Sequence, residues 1–351
     1  MRRRKVRTLR IVFWNTILIS MLSAPQIHAQ FLYGTAGKAS LQTATLENVM
    51  LLQNVRDVDY NCQACQGWFT GYGSGGYAEG TSYSTTTPRT LYDAEYSQET
   101  GGFLTGFDRS LSETCRSGLF FAYNSNVLDE TSVNPVVTSN QHLDMNNYFW
   151  GGSGRKDFQH CYLLGTLAGG YTRLNESVTY TPQILPNDTM QNNSWRALAY
   201  GEVGQEYLVG QTLVQPFWGL QYFYSGYDEA EFYDENGDLA LRLENLDTNS
   251  LRNVLGLRIA RDLYRTEDGF IKLDCIGFWY HEFLGREDLG VAKVVGSNQI
   301  AEAVWSGRDW AVIAPTLNFK YKNLRMWAGY IVMFNENEAI NLGQGGLAYC
   351  F

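Results

Sequence analysis

The chain ends in Gln344-Gly345-Gly346-Leu347-Ala348-Tyr349-Cys350-Phe351, and the alternation in these eight residues decides the fold. Side chains alternate along extended backbone, so Leu347, Tyr349 and Phe351 share one face and Gly346, Ala348 and Cys350 the other. A strand that closes a chain on an aromatic residue reads as the last strand of a transmembrane β-barrel. Its apolar side meets lipid and its terminal aromatic sits in the interfacial girdle. An edge strand of a soluble sheet would show the same alternation, so the residues upstream must separate the two.

Upstream, segments of period two recur, each about the ten residues that a tilted spanning strand needs. Twelve are centred near Phe69, Leu104, Phe120, Phe149, Gly165, Tyr200, Leu220, Leu255, Cys275, Ala314, Gly329 and Leu347. In the eighth, Leu251, Leu255, Leu257 and Ile259 lie opposite Arg252 and Arg258. In the seventh, Pro216, Trp218, Leu220 and Tyr222 lie opposite Gln215, Gly219 and Gln221. Glu202, Glu206, Arg252, Arg258, Lys272, Asp274, Lys320 and Arg325 all fall on faces opposite apolar rows. An Arg or Lys at a lipid-facing midplane costs about 2–4 kcal/mol. Turned inward, these groups can pair across a wet lumen. Connections alternate in length as well. Arg109–Thr114 and Lys156–Asp157 are tight, whereas Leu128–Leu143, Asn175–Asn193 and Asp228–Asp247 read as long polar loops. Short turns at one end and long loops at the other are the bias of outer-membrane barrels. The fold class is therefore all-β, a 12-stranded antiparallel transmembrane barrel.

The front of the chain reads as an address. Arg2, Arg3, Arg4, Lys5, Arg7 and Arg10 precede an apolar stretch over residues 11–24, and Ile27-His28-Ala29 resembles a cleavage site, with Gln30 first in the mature chain. Losing six basic residues takes the formal charge from −9 to about −15, which disfavours nucleic acid as a partner. Composition agrees with a tall sheet: 23 Tyr, 18 Phe, 9 Trp and 35 Gly stand against 7 Pro, and scarce proline suits uninterrupted ladders. Mean hydropathy is only −0.27, but a barrel needs apolar side chains at every second position alone. Between leader and barrel, Lys38 to Asp57 reads as a helix, with Leu41, Thr45, Val49, Leu52 and Val55 recurring at helical spacing. An even strand number puts both barrel ends on the periplasmic side, so this helix enters the lumen only if it crosses the pore. The expected domains are residues 1–29 as signal, 30–64 as a helical segment and 65–351 as barrel. Cys62-Gln-Ala-Cys65 is a candidate local disulfide, with thiols or a redox pair as the alternatives.

Several stretches resemble the translocator barrel of bacterial autotransporters, the type V secretion family. They are Gly102-Phe-Leu-Thr-Gly-Phe-Asp108, Pro216-Phe-Trp-Gly-Leu-Gln-Tyr222, Ser250-Leu-Arg-Asn-Val-Leu-Gly-Leu-Arg258, Trp279-Tyr-His-Glu-Phe283 and the terminal Gly346, Tyr349 and Phe351, in the family's order. The resemblance implies a barrel threaded by a helix, residence in the outer membrane of a Gram-negative bacterium and a role in export or surface display. It also implies that Gly346, Tyr349 and Phe351 form the signal read by the barrel-assembly machinery. The chain departs from the family in having only about 35 residues between Gln30 and the first strand, too few for a repetitive passenger.

No catalytic site is expected. His142, His160 and His281 have no partnered nucleophile at a recognisable spacing, and the sequence lacks Gly-x-Ser-x-Gly and His-Glu-x-x-His. Metal and cofactor sites are likewise not expected, and the barrel is read as monomeric in outer-membrane lipid. A passive channel, a surface adhesin or structural barrel, and a soluble exported sandwich are the competing readings. Removal of Phe351 is expected to lower the amount of folded protein in the outer membrane. Unchanged levels in fractionated membranes would exclude the assembly-signal reading.

Overall fold

The computed structural model describes residues 36, 38–56, 65–84, 90–133, 138–181, 188–233, 236, 239–244, 247–284, 291–294, 300–302 and 307–351. The leader, Ala29 and Gln30, Asp57 and Cys62 lie outside the described residues.

Six long strands come first: β1 (Cys65–Ser84), β2 (Thr90–Ser112), β3 (Cys115–Val133), β4 (Thr138–Asp157), β5 (Cys161–Thr181) and β6 (Asp188–Gln205). The short β7 (Tyr207–Val209) continues β6 past Glu206 and turns into β8 (Thr212–Tyr227). Short β9 (Ala230–Tyr233) and β10 (Leu239–Glu244) precede β11 (Thr248–Arg265) and β12 (Gly269–Glu282). Short β13 (Val291–Val294) and β14 (Ile300–Glu302) precede β15 (Asp309–Tyr321), β16 (Leu324–Phe334) and β17 (Glu338–Cys350). The twelve long strands form a closed antiparallel barrel. Its seam joins β17 to β1 from Gln66–Cys350 to Ala78–Glu338, so the ring leaves no open edge. Each of the twelve expected centres lies in its own long strand.

The two faces separate as the alternation requires. On β8, Pro216, Trp218, Leu220 and Tyr222 are exposed outward, while Gln215, Phe217, Gly219 and Gln221 are buried inward. The outer surface is a continuous apolar band, and the row Phe103, Tyr123, Tyr148, Tyr171 and Trp195 forms part of its girdle across five neighbouring strands. Neighbouring rings lie 6.0, 5.3 and 5.2 Å apart for Phe103–Tyr123, Tyr123–Tyr148 and Tyr171–Trp195. Tyr123 and Tyr171 donate their hydroxyls to Asn146 and Asn193, so each ring turns a polar tip out of the apolar band. Several tight turns gather at the opposite end, including those at Gly210 and Lys322, where φ is positive. That end is the periplasmic one by the outer-membrane bias.

Three expectations need correction. The spans Leu128–Leu143 and Asn175–Asn193 are mostly strand rather than loop, because the alternation continues through them: Leu128, Leu143 and Leu174 point inward and are fully buried. β3 and β4 thus run on for about ten residues past the girdle, or about 33 Å of strand. Residues in Asp228–Asp247 also enter β9 and β10. Together with β13 and β14, these strands carry pairing from β6 round to β1 and close a second ring above the membrane. The second correction concerns the inner face, which is not merely polar: Trp68, Phe120, Phe149, Phe217, Phe278, Trp310 and Trp327 are buried there. They have an apolar partner because the lumen is filled. The third is the Cys62–Cys65 bridge. Cys65 keeps its thiol, and Cys350 of β17 is the disulfide-bonded residue. Cys65 is already extended at the head of β1, paired with Arg109, rather than in the tight turn that a Cys-x-x-Cys bridge closes.

Leu255 sits mid-strand on the outer face, 54% exposed. Leu255→Arg is expected to lower barrel stability by about 2–4 kcal/mol, measured by denaturant unfolding in lipid vesicles. A loss below 0.5 kcal/mol would mean that this face does not meet acyl chains.

Candidate functional site in the filled lumen

The lumen holds a helix over residues 38–56, with Ala36 helical as well. No helix among the described residues is long and apolar enough to cross a membrane by itself. This one is buried nearly all round, its polar residues included, because barrel wall surrounds it. Its apolar stripe (Leu41, Val49, Leu52 and Val55) joins one core with Leu104, Phe120, Phe149, Phe223 and Ile276 of the wall. The charged residues Lys38, Glu47 and Arg56 are nine positions apart, which spreads them over about 27 Å of helix, close to the thickness of a hydrocarbon core. Each meets a different level of the wall.

At the outer level the Lys38 ammonium lies 2.6 Å from Glu338 and 5.2 Å above the ring of Tyr96. Gln42 and the Tyr96 hydroxyl donate to the other Glu338 oxygen. The small side chains of Ala36 and Ala39 allow an apolar collar of Tyr96, Leu128, Leu143, Met145 and Leu174 to pack beside them. At the middle level Glu47 accepts from Tyr72 (2.9 Å) and Asn124 (2.6 Å). Asn124 in turn accepts from Asn147, which accepts from Thr172, so one polar chain links β3, β4 and β5 to the helix. Gln221 donates to Thr45 and Asn126 to Thr43.

The inner level is the most fully satisfied. The Arg56 guanidinium forms a two-pronged ion pair with Glu202, with Nε to Oε1 at 3.0 Å, and lies 4.4 Å above the ring of Phe217. Tyr162 and Tyr200 donate their hydroxyls to the same carboxylate. Side-chain exposure is 2% for Arg56 and 0% for Glu202, so water does not screen the pair. Burying two charges is favourable only where geometry and added hydrogen bonds offset desolvation, and here both are present. Glycine makes room for the rings of this site, at Gly256 beside Phe217 and at Gly204 beside Tyr162. A Cβ on Gly204 would stand 2.5 Å from the ring of Tyr162, which must lie over that residue to reach Glu202. The Arg56 carbonyl, at the helix C-terminus, accepts from Arg155 Nη1 (3.0 Å) and Arg258 Nη1 (3.4 Å). Two cations thus cap the negative end of the helix dipole. Arg258 is held by Asp274 and Gln215, and Arg155 by Asp157 and Glu206.

Of the lumen charges expected from parity, Glu202, Arg252, Arg258, Asp274 and Arg325 are buried inside. Arg252 pairs with Glu282, and Arg325 donates to Asn318. Glu206 is exposed at the short-turn end, though bonded to Arg155 and Gln215. Lys272 and Lys320 are half-buried near that end. Lys38, Glu47, Arg155 and Glu338 had not been singled out. Arg155 shares its inward parity with Phe149 and Ser153, a signal present in the sequence. The pairings had none, since Lys38 and Glu338 stand 300 positions apart in the chain. Gly346 faces inward, where a Cβ would stand 2.3 Å from Trp327, so packing alone already requires a glycine there. Tyr349 and Phe351 point outward, their rings 5.3 Å apart.

None of the three described histidines lies in the lumen. His142 is outward on β4 against Asp129, His160 is in a turn, and His281 lies between Trp279 and Phe283, bonded to Asp309. No cluster of metal-ligating side chains occurs among the described residues.

The model of the autotransporter beta-domain family matches residues 67–331. A comparison with curated proteins finds no match. Among solved structures, the translocator domain of the autotransporter NalP from Neisseria meningitidis aligns with a TM-score of 0.66 at 16% identity, covering 90% of this chain and 97% of that one. The transport unit of AIDA-I from Escherichia coli gives 0.58 at 15%, covering 84% and 93%. The beta domain of the Bordetella autotransporter BrkA gives 0.56 at 14%, covering 82% and 100%.

Glu202→Ala is expected to leave the Arg56 guanidinium buried and unpaired, at a cost of about 3–5 kcal/mol. The helix should then become digestible by protease in barrels that still resist unfolding. Arg56→Ala combined with Glu202→Ala should be less damaging than the sum of the two. Additive effects would mean that the pair does not hold the helix.

Proposed function

This chain belongs to the autotransporter beta-domain family, an outer-membrane barrel of type V secretion, and we propose that it leaves its own helix in the lumen as the closed end state of export. The observation that carries this reading is the match of charges along the helix. Lys38, Glu47 and Arg56 meet Glu338, Tyr72 with Asn124, and Glu202 at three successive levels. A shift of the helix by one turn, about 5.4 Å, would break all three contacts together. The barrel admits one register, and the Arg56 clamp at its inner end is the stop.

Several further features belong to the proposal. The leader ending at Ala29 is cleaved after export across the inner membrane, as its basic and apolar regions suggest. The assembly machinery reads the outward aromatic pair Tyr349 and Phe351. The barrel works as a monomer, and no bond chemistry is part of the proposal.

A conducting channel is the second reading, and the apolar core between helix and wall favours the plugged one. Deleting residues 38–57 is expected to raise single-channel conductance in planar bilayers from near the noise level to steps typical of an open barrel. A wild-type protein that already conducts at the level of the deletion would overturn the plug.

A further inference from the structure

Ser117, Gly154, Gly165 and Gly201 lie in one lateral row across β3, β4, β5 and β6, each paired with the next, on the membrane-facing side. They floor a groove of about 690 Å3 that reaches Leu220 on β8. Glycine within a strand is unfavourable unless something requires the room. Within the barrel the requirement is visible, as at Gly204 under Tyr162. On this outer row the protein makes no such demand. No atom lies within 4 Å of a Cβ built on Gly201, and only backbone carbonyls, at 3.6 and 3.4 Å, approach those of Gly154 and Gly165.

The groove has walls and a charged rim. Leu163, Val203 and Trp218 occupy the next outward row toward the short turns. Trp218 is fixed there by its indole N–H, which donates to Asn253 at 2.6 Å. Leu119 and Leu167 project from the next outward row on the other side of the floor, 73% and 70% exposed. Lys156 lies in the same row as Leu163, at the periplasmic rim, and its ammonium donates to Thr114 at 2.7 Å. Arg109 sits beside Ser117 at the end of the floor. Neither cation forms an ion pair among the described residues, in a chain whose net charge is −9. Two cations border the apolar trough.

We propose that this groove is a binding site for an anionic phospholipid of the periplasmic leaflet, one acyl chain lying along the glycine floor and the headgroup phosphate meeting Lys156. The floor is glycine, bare of side chains where an alkyl chain must approach backbone, and the rim is cationic where a phosphate would reach water. The groove opens on the outer face, whereas the helix lies inside the barrel.

Native mass spectrometry of the purified full-length barrel, stripped of lipid and titrated with phosphatidylglycerol or phosphatidylcholine, tests this. The wild type is expected to retain phosphatidylglycerol more tightly. Lys156→Gln should weaken that retention about five-fold, the worth of one basic side chain at an anionic surface, and leave phosphatidylcholine unmoved. Gly165→Leu, whose Cβ would meet only the Tyr200 carbonyl at 3.4 Å, should abolish retention of both. Gly345→Leu, at an outward glycine of β17, should abolish neither. Heat-modifiable gel migration reports whether each variant is folded. Equal retention of the two lipids by the wild type, or retention unchanged in both Lys156→Gln and Gly165→Leu, would overturn the proposal. Displacement of the lipid by inorganic phosphate would also overturn it, by showing a phosphate site with no role for the groove.

Discussion

Closure of the backbone hydrogen-bond ring is the constraint on which this structure depends. In hydrocarbon an unpaired N–H or C=O has no water to turn to, so a sheet survives only when its last strand pairs with its first. The pairing of β17 with β1 along thirteen register positions meets that demand. Once the ring is closed, alternation divides every strand into a lipid-facing and a lumen-facing set, and the position of each charged residue is determined by its parity. Tall strands repeat the solution above the membrane, where β9, β10, β13 and β14 complete a second ring.

Filling the ring changes what the inner face can be. An empty lumen would favour polar residues throughout, yet the wall presents Trp68, Phe149, Phe217 and Trp310 among its charges. The helix makes this mixture stable, since its apolar stripe covers the aromatic residues and its charges pair with those of the wall. Such an interior is dry at the Arg56–Glu202 level, where four hydrogen bonds converge on one carboxylate. Polar atoms at other levels have no hydrogen-bond partner among the described residues, including both side-chain atoms of Asn48 and the three guanidinium nitrogens of Arg196. Buried groups of that kind call for ordered water. The lumen is therefore locked at its ends.

The two glycine populations follow from the same geometry. Inward glycines such as Gly204 and Gly346 sit beneath large aromatic rings on the adjacent strand, which lets a ring lie flat against the wall and leaves room for the helix. The outward glycines Gly154, Gly165 and Gly201 have no such neighbour. Alternation alone assigns both kinds to a face, but only the neighbouring strand shows which of them is under load.

Much of the barrel was legible without coordinates, because period-two alternation is a local property that every spanning strand must carry. The twelve centres, the outward aromatic rows and the inward placement of Arg252 and Arg258 all follow from it. The lengths of β3 to β6 were not legible, since polar outward residues above the membrane resemble loop. Nor was the Cys350 disulfide, because proximity in sequence favoured Cys62 and Cys65. The sequence by itself determined which residues face lipid and which face the lumen. Tertiary structure alone decided which lumen residues meet. Ring closure and helix register bring Lys38 to Glu338 and Arg56 to Glu202, and no periodicity within a segment encodes a contact between segments so far apart.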